Sequence, residues 1–241
     1  MPMPVPLSER SAGVLTGTVQ SVQIGCVKPL GAEAVPSGFV KRPVEGDVAV
    51  RQRGLAGDEQ ADLKVHGGRD KAVYSYPGEH YVAWRAELPQ HSATLVPGGF
   101  GENLTTIGLD ERNVCIGDIV RTGSSLLQVT EFRQPCFKLS LRFGDNRLPK
   151  AMLKSGRCGW YARVLEEGLV RRGAPVSVEQ RPNPTWTISR FLEMFVSRSA
   201  SIDDLIELAE LPGLARYWRQ TAQEHLREII HGYEASGAVE E

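Results

Sequence analysis

The chain changes its hydrophobic period once. From about Gly13 to Gln180, apolar residues come in short runs separated by Gly, Pro, Asn and Asp; beyond Arg181-Pro-Asn-Pro they recur at helical spacing. Leu15-Thr-Gly-Thr-Val-Gln-Ser-Val-Gln-Ile alternates well enough to predict a strand with one buried face. Val114-Cys-Ile-Gly-Asp-Ile-Val and Leu126-Leu-Gln-Val-Thr-Glu-Phe read the same way, and the turn at Thr122-Gly-Ser-Ser joins them as a hairpin. Trp160-Tyr-Ala-Arg-Val-Leu and Pro175-Val-Ser-Val-Glu add two strands around a turn-like Glu166-Glu-Gly. Two helical insertions are expected, one from Pro77 to about Leu88 with proline at its first position, the other from about Leu148 to Lys154. Many short strands at this spacing predict a sandwich or barrel.

In the second region Ile188, Phe191, Leu192 and Phe195 share one helical face. Ser201-Ile-Asp-Asp caps a second helix striped by Leu205, Ile206, Leu208 and Ala209, which Leu211-Pro-Gly ends. Leu214, Tyr217, Trp218, Leu226 and Ile229 mark a third, and the tail from Gly237 is expected to fray. The expected organisation is a predominantly β domain over residues 1–182 and a three-helix unit over 183–241.

Composition narrows the function classes. With 28 basic and 29 acidic residues in 241, the net charge of −1 supplies no field for nucleic acid or an anionic membrane, and neither is expected as a partner. No apolar stretch approaches the roughly 18 to 20 residues of a membrane span. The Pro-rich start, Met1-Pro-Met-Pro-Val-Pro, lacks the basic-then-apolar order of a secretory signal. Cys26, Cys115, Cys136 and Cys158 are widely spread, which predicts free thiols in a reducing cytoplasm and no zinc or iron–sulfur centre built by this chain alone. G-x-G-x-x-G, G-x-x-x-x-G-K-[ST], H-E-x-x-H and G-x-S-x-G are all missing from the sequence, which argues against the chemistries they signal. His225 and His231 read as surface residues, and His80 and His91 have no partner at metal-ligand spacing.

Three clusters could carry chemistry. Around Lys64-Val-His-Gly-Gly-Arg-Asp-Lys71, a Gly-Gly turn can aim backbone N–H groups into one concavity while His66, Arg69 and Lys71 add donors and charge; a solvated loop fits equally well. Phe100-Gly-Glu-Asn-Leu offers neutral hydrogen bonds from Asn103, though a plain strand-to-turn segment would look alike. In Glu131-Phe-Arg-Gln-Pro-Cys-Phe-Lys-Leu, Pro135 forces an extended or turned backbone, and Arg133 and Lys138 bracket Cys136. Nearby cations favour thiolate, the form that attacks electrophiles or ligates soft metals; the alternative is a buried structural cysteine.

Taken together and in order, Gly57-Asp-Glu-Gln, Lys64-Val-His-Gly-Gly, Phe100-Gly-Glu-Asn-Leu, Ile116-Gly-Asp and Arg133-Gln-Pro-Cys-Phe-Lys-Leu resemble the MOSC domain family. Pro77-Gly-Glu-His-Tyr, Gly156-Arg-Cys-Gly-Trp-Tyr-Ala-Arg-Val and the helical C-terminus resemble its YiiM-type branch. The resemblance implies a β-barrel like that of the pyruvate kinase insert, followed by a small three-helix unit. It also implies the molybdopterin form of the molybdenum cofactor, no pyridoxal-like cofactor, and Cys136 as the metal ligand. His66, Gly67, Arg69, Asn103, Arg133 and Lys138 are the implied cofactor-binding residues, and His66 is also the implied proton donor because imidazole titrates near neutrality. At Gly57-Asp-Glu-Gln many members carry Asp-Arg-His, so no role passes to Asp58 or Glu59. The implied activity is reduction of N-hydroxylated bases and hydroxylamines, such as 6-hydroxylaminopurine, to amines. Electrons would come from a separate flavoprotein or ferredoxin-type reductase. The helices could dock that reductase, close the pocket or form a homodimer. Two other readings stay open: a persulfide carrier using Cys136, and a passive binder of the cofactor.

Overall fold

The computed structural model describes residues 15–61 and 67–237, with side chains as far as 231. The N-terminal part holds β1 (Thr16–Ile24), β2 (Lys28–Leu30), β3 (Val35–Ser37), β4 (Arg42–Pro43), β5 (Val48–Arg51) and β6 (Gly54–Leu55). Next come β7 (Val73–Pro77), α1 (His80–Glu87), β8 (Leu104–Ile107), β9 (Ile119–Thr122) and β10 (Ser125–Phe132). Then follow α2 (Phe137–Phe143), α3 (Leu148–Ser155), β11 (Trp160–Glu166), β12 (Gly168–Val170) and β13 (Pro175–Gln180). The chain finishes with α4 (Ile188–Ser197), α5 (Ile202–Glu210) and α6 (Arg216–Gly237).

Seven strands close into a barrel in the order β13-β9-β10-β11-β7-β8-β1, with β1 returning to β13 through Gly17 opposite Val176. All neighbours are antiparallel except β7 and β8, where Ser75 faces Leu104. Side chains including Leu104, Leu127, Val129, Trp160 and Val176 fill the interior and leave a void of only about 20 Å³. That holds one water at most, so a ligand must bind outside the barrel.

The ladder between β10 and β11 is irregular at one point. Between Val129 and Glu131, β10 slips against β11, so Thr130 is an extra residue in the ladder. Its hydroxyl donates to the Asp70 carbonyl at 2.6 Å, and residues 129–133 are all buried in succession. Barrel core lies on one side of this stretch and the helical unit on the other. Phe132 meets Phe191 and Trp218 at ring separations of 5.2 and 5.6 Å. The Trp218 indole N–H donates to Glu131 Oε2 at 2.9 Å, and Ala215 N–H donates to the Thr130 carbonyl at 3.0 Å. The apolar core therefore runs without a break across the expected boundary at residue 182.

The predicted elements fare unequally. The strands read at 15–24, 126–132, 160–165 and 175–179 are β1, β10, β11 and β13, and the hairpin turns at Gly123-Ser124. The three C-terminal helices are present; Ser201 and Asp204 cap α5 reciprocally, each backbone N–H reaching the other's side chain at 3.1 Å. Pro77, expected to start a helix, instead ends β7, and α1 begins at His80. The segment 114–118, expected as strand, is a turn in which Asp118 accepts from Cys115 N–H at 2.9 Å and Gly117 adopts φ +83°. The expected turn after Glu166 runs straight into β12, which pairs with β5. The short helix α2 has no counterpart among the predicted elements.

Candidate functional site

Cys136 sits where β10 has ended and α2 begins, in extended conformation (φ −117°, ψ 172°), with its carbonyl accepting from Leu139 N–H at 3.0 Å. It is half-buried and faces a pocket of about 80 Å³ outside the barrel. Two N-terminal loops form one wall: Ser37 to Lys41, and Asp58 to Ala61. Barrel residues form the other: Lys71, Tyr74, Asn103, Arg133 and Tyr161. The two loops touch backbone to backbone at Gly38, where a Cβ would stand 2.0 Å from the Glu59 carbonyl oxygen. Only glycine fits there.

Inside the pocket the two buried cations are treated differently. Lys41 is paired with Asp58, and the pair is almost fully enclosed. Burial pulls the Lys41 pKa down, and the Asp58 carboxylate opposes the fall. Asp58 also accepts from Gly25 N–H and from the Asn103 amide, each at 2.8 Å. Arg133 is 3% exposed and forms no ion pair among the described residues. Its guanidinium lies 5.6 Å from the Phe39 ring centre and 5.7 Å from that of Tyr74, and 3.9 Å from Met152 Sδ. Burial works against its charge, but Tyr74, Cys136 and Tyr161 more than compensate, so its pKa stays above the ordinary arginine value. Burial also lifts the Tyr74 pKa well above the ordinary phenol range and that of Tyr161 to about 12, so both remain neutral.

Arg133 is thus a buried cation that keeps its charge with no carboxylate paired to it among the described residues. A pocket that keeps one beside a thiol suits a ligand that brings its own negative charge and a soft, thiolate-seeking atom. The molybdenum cofactor implied by the sequence has both, and the donor set fits it. No three His, Cys, Asp or Glu side chains converge on a metal position among the described residues, so the protein's share of such a centre would be Cys136 Sγ.

The structure brings Cys136, Arg133, Lys138 and Asn103 together in this pocket. Asn103 serves mainly as wall: its amide hydrogens go to Asp58 and, at 3.4 Å, to the Gln23 carbonyl, while its oxygen accepts from Tyr74 N–H at 3.2 Å. Gly67 and Arg69 line a neighbouring cleft instead, which among the described residues shares only Lys71 with the first; Arg69 donates to the Gln52 side chain at 3.0 Å. His66 lies outside the described residues. Sequence reasoning assigned nothing to Lys41, Phe39, Tyr74 or Tyr161, and passed over Asp58, which ties Lys41 to Asn103. Glu102 of the Phe-Gly-Glu-Asn segment is structural, buried and bonded to Tyr81, Thr105 and the Gly98 and Phe100 N–H groups.

The MOSC domain model matches residues 62–177. YiiM of Escherichia coli strain K12 is 38% identical over 199 residues, covering 79% of this chain and 85% of that protein. A protein of Gibberella moniliformis named Reductase is 38% identical over 220 residues, 90% of this chain but 39% of its own length. Among solved structures, YiiM from Geobacillus stearothermophilus superposes with a TM-score of 0.74 at 33% identity, covering 87% of this chain and 99% of that one. With the closed barrel, the helical unit and these relatives, the chain belongs to the MOSC domain family, in its YiiM-type branch.

Proposed function

We propose that the Cys136 pocket holds the metal end of a molybdenum cofactor and that the chain reduces N-hydroxylated small molecules, such as 6-hydroxylaminopurine, to amines. The observation that carries this reading is the buried, carboxylate-free Arg133 opening on the same pocket as Cys136. Family membership and a relative named Reductase support it.

The reaction takes R–NHOH, two electrons and two protons to R–NH2 and water; the N–O bond breaks and the oxygen leaves as water. When bound, the cofactor supplies the two-electron redox centre for that cleavage. The chain supplies the rest. Cys136 Sγ would ligate the metal, and Arg133 would balance the negative charge gathered there. Phe39, Tyr74 and Tyr161 exclude water and keep the guanidinium's field strong. His66 is assigned the proton that reaches the departing oxygen. The electrons are assigned to a separate flavoprotein or ferredoxin-type reductase.

The test is metal analysis paired with hydroxylaminopurine turnover, using a chemical electron donor and protein from a cofactor-competent host. Cys136→Ser is expected to lose both molybdenum and turnover; full retention of either would refute the role of that sulfur. Molybdenum-free protein with a persulfide on Cys136 would establish the sulfur carrier instead. Metal-loaded protein inert to hydroxylamines would establish a passive binder. His66→Ala should slow turnover more than it lowers metal content.

A further inference from the structure

Beside the Cys136 pocket lies a second, larger cleft of about 1010 Å³, between the Gly67–Lys71 segment, the end of β10 and the first turns of α6. Lys71 lines both, so the two spaces adjoin. Two features mark this cleft as built for a ligand. The first is unmet hydrogen-bonding capacity. Six buried side-chain polar atoms lack a partner among the described residues, and the side chains of three, Glu131 Oε1, Arg163 Nε and Arg219 Nε, line this one cleft. Glu131 is 2% exposed, and only its Oε2 is engaged, by Trp218. An orphaned carboxylate oxygen is costly, and a ligand N–H removes the cost.

The second feature is charge. Five cationic side chains line the cleft against two carboxylates, and the Asp70 carboxylate is already paired with Arg163 at 2.9 Å. Arg69 and Arg216 are exposed on the rim, and neither forms an ion pair among the described residues. The site thus asks for a molecule with an anionic end and a hydrogen-bond-donating end. Both follow from one ligand class.

We infer that this cleft receives the phosphorylated, nucleotide form of an N-hydroxylated base, with its phosphate among Arg69, Arg216 and Arg219 and a base N–H directed to Glu131 Oε1. The inference rests on the N-hydroxyl reduction proposed above, and adds that the substrate is read through its phosphate. Arginine forks suit phosphate oxygens, and the shared Lys71 joins the cleft to the metal's pocket. Burial pushes the Glu131 carboxyl up to about 7, so near neutrality it can meet either a donor or an acceptor on the base.

Binding is tested without turnover, on cofactor-loaded protein, with adenosine 5′-monophosphate as the amine-product nucleotide and with adenosine and inorganic phosphate beside it. The nucleotide is expected to bind at least tenfold more tightly than adenosine. Arg216→Ala should abolish that advantage while leaving molybdenum content unchanged, since its backbone N–H bond to Asp70 survives. Glu131→Gln should weaken nucleotide and nucleoside by the same factor. Equal binding of nucleotide and nucleoside would overturn the inference. So would loss of molybdenum in Arg216→Ala, which would give the cleft to the cofactor's own phosphate, or binding of phosphate alone as tight as the nucleotide. If nucleotide selectivity holds while hydroxylaminopurine is not reduced, the proposed reaction fails and the site stands.

Discussion

Replacing Glu131 by Gln should stabilise the protein, and more so as pH rises. Glu131 is buried, one oxygen is orphaned, and burial raises its pKa from 4.5 to about 7. The charged groups facing it oppose one another: Lys71 and Arg163 favour the carboxylate, while Asp70 disfavours it. The folded-state pKa lies above the unfolded one, so the carboxyl's stabilising contribution is complete below about pH 4.5 and is lost as pH climbs through about 7. A difference of about 2.5 pH units, at about 1.36 kcal/mol per unit, amounts to roughly 3 kcal/mol. Glutamine mimics the protonated acid at every pH and can still accept from Trp218. Wild type and Glu131→Gln should therefore be alike near about pH 4, and the variant should be roughly 3 kcal/mol more stable by about pH 8.5. Urea denaturation followed by tryptophan fluorescence across about pH 4 to 8.5 measures the gap. A gap that stays flat with pH, or wild type gaining on the variant as pH rises, would refute the burial argument.

Other perturbations separate stability from site chemistry. Arg133→Met removes a buried cation that lacks a carboxylate partner among the described residues, so the unfolding free energy should hold or rise by about 1 kcal/mol, while molybdenum content falls at least tenfold; a marked loss of stability would mean that Arg133 serves the fold. Phe132→Ala empties the contact with Phe191, Phe195 and Trp218 and should cost about 3–5 kcal/mol; a urea-measured loss below about 1 kcal/mol would mean the helices are seated elsewhere. Gly38→Ala forces its loop away from the Glu59 carbonyl and with it moves Phe39, so cofactor content should fall in a protein that still unfolds cooperatively; unchanged metal content would show that this wall is not part of the site.

The barrel was legible where a strand buries one face. In β1 the apolar positions Leu15 and Val19, then Val22 and Ile24, keep a two-residue period on either side of a bulge between Val19 and Ser21, and the Thr122-Gly-Ser-Ser turn needs a positive φ that Gly123 supplies at 59°. Legibility failed where local preference had two outlets. Pro77 suits the first turn of a helix, but it equally suits the end of a strand, where a missing N–H breaks no ladder bond. Phe137-Lys-Leu-Ser-Leu-Arg-Phe alternates like a strand, and packing makes it α2, with Leu139 and Phe143 buried and Phe137 58% exposed. The site divides the same way. Arg133, Cys136 and Lys138 lie within one short run and could be singled out by charge. Phe39, Lys41 and Asp58 arrive on loops that only the closed topology brings near, and no local signal marks them.

The bare cation and the bare carboxylate oxygen have one origin. In a regular strand, residues 131 and 133 would point to the same side and could neutralise each other. Thr130 is bulged out of the ladder, Trp218 draws Glu131 toward α6, and β10 ends at Phe132, before Arg133. Glu131 therefore lines the larger cleft and Arg133 the Cys136 pocket, with Lys71 shared between them. A carboxylate that could have quenched Arg133 is held one cleft away. Of the two carboxylates that line the Cys136 pocket, Asp58 is taken by Lys41 and Asn103, and Glu59 accepts from Val27 N–H at 2.7 Å. The bulge at Thr130 and the Trp218 bond keep opposite charges apart over a few residues, so the first space suits an anion and the second a hydrogen-bond donor.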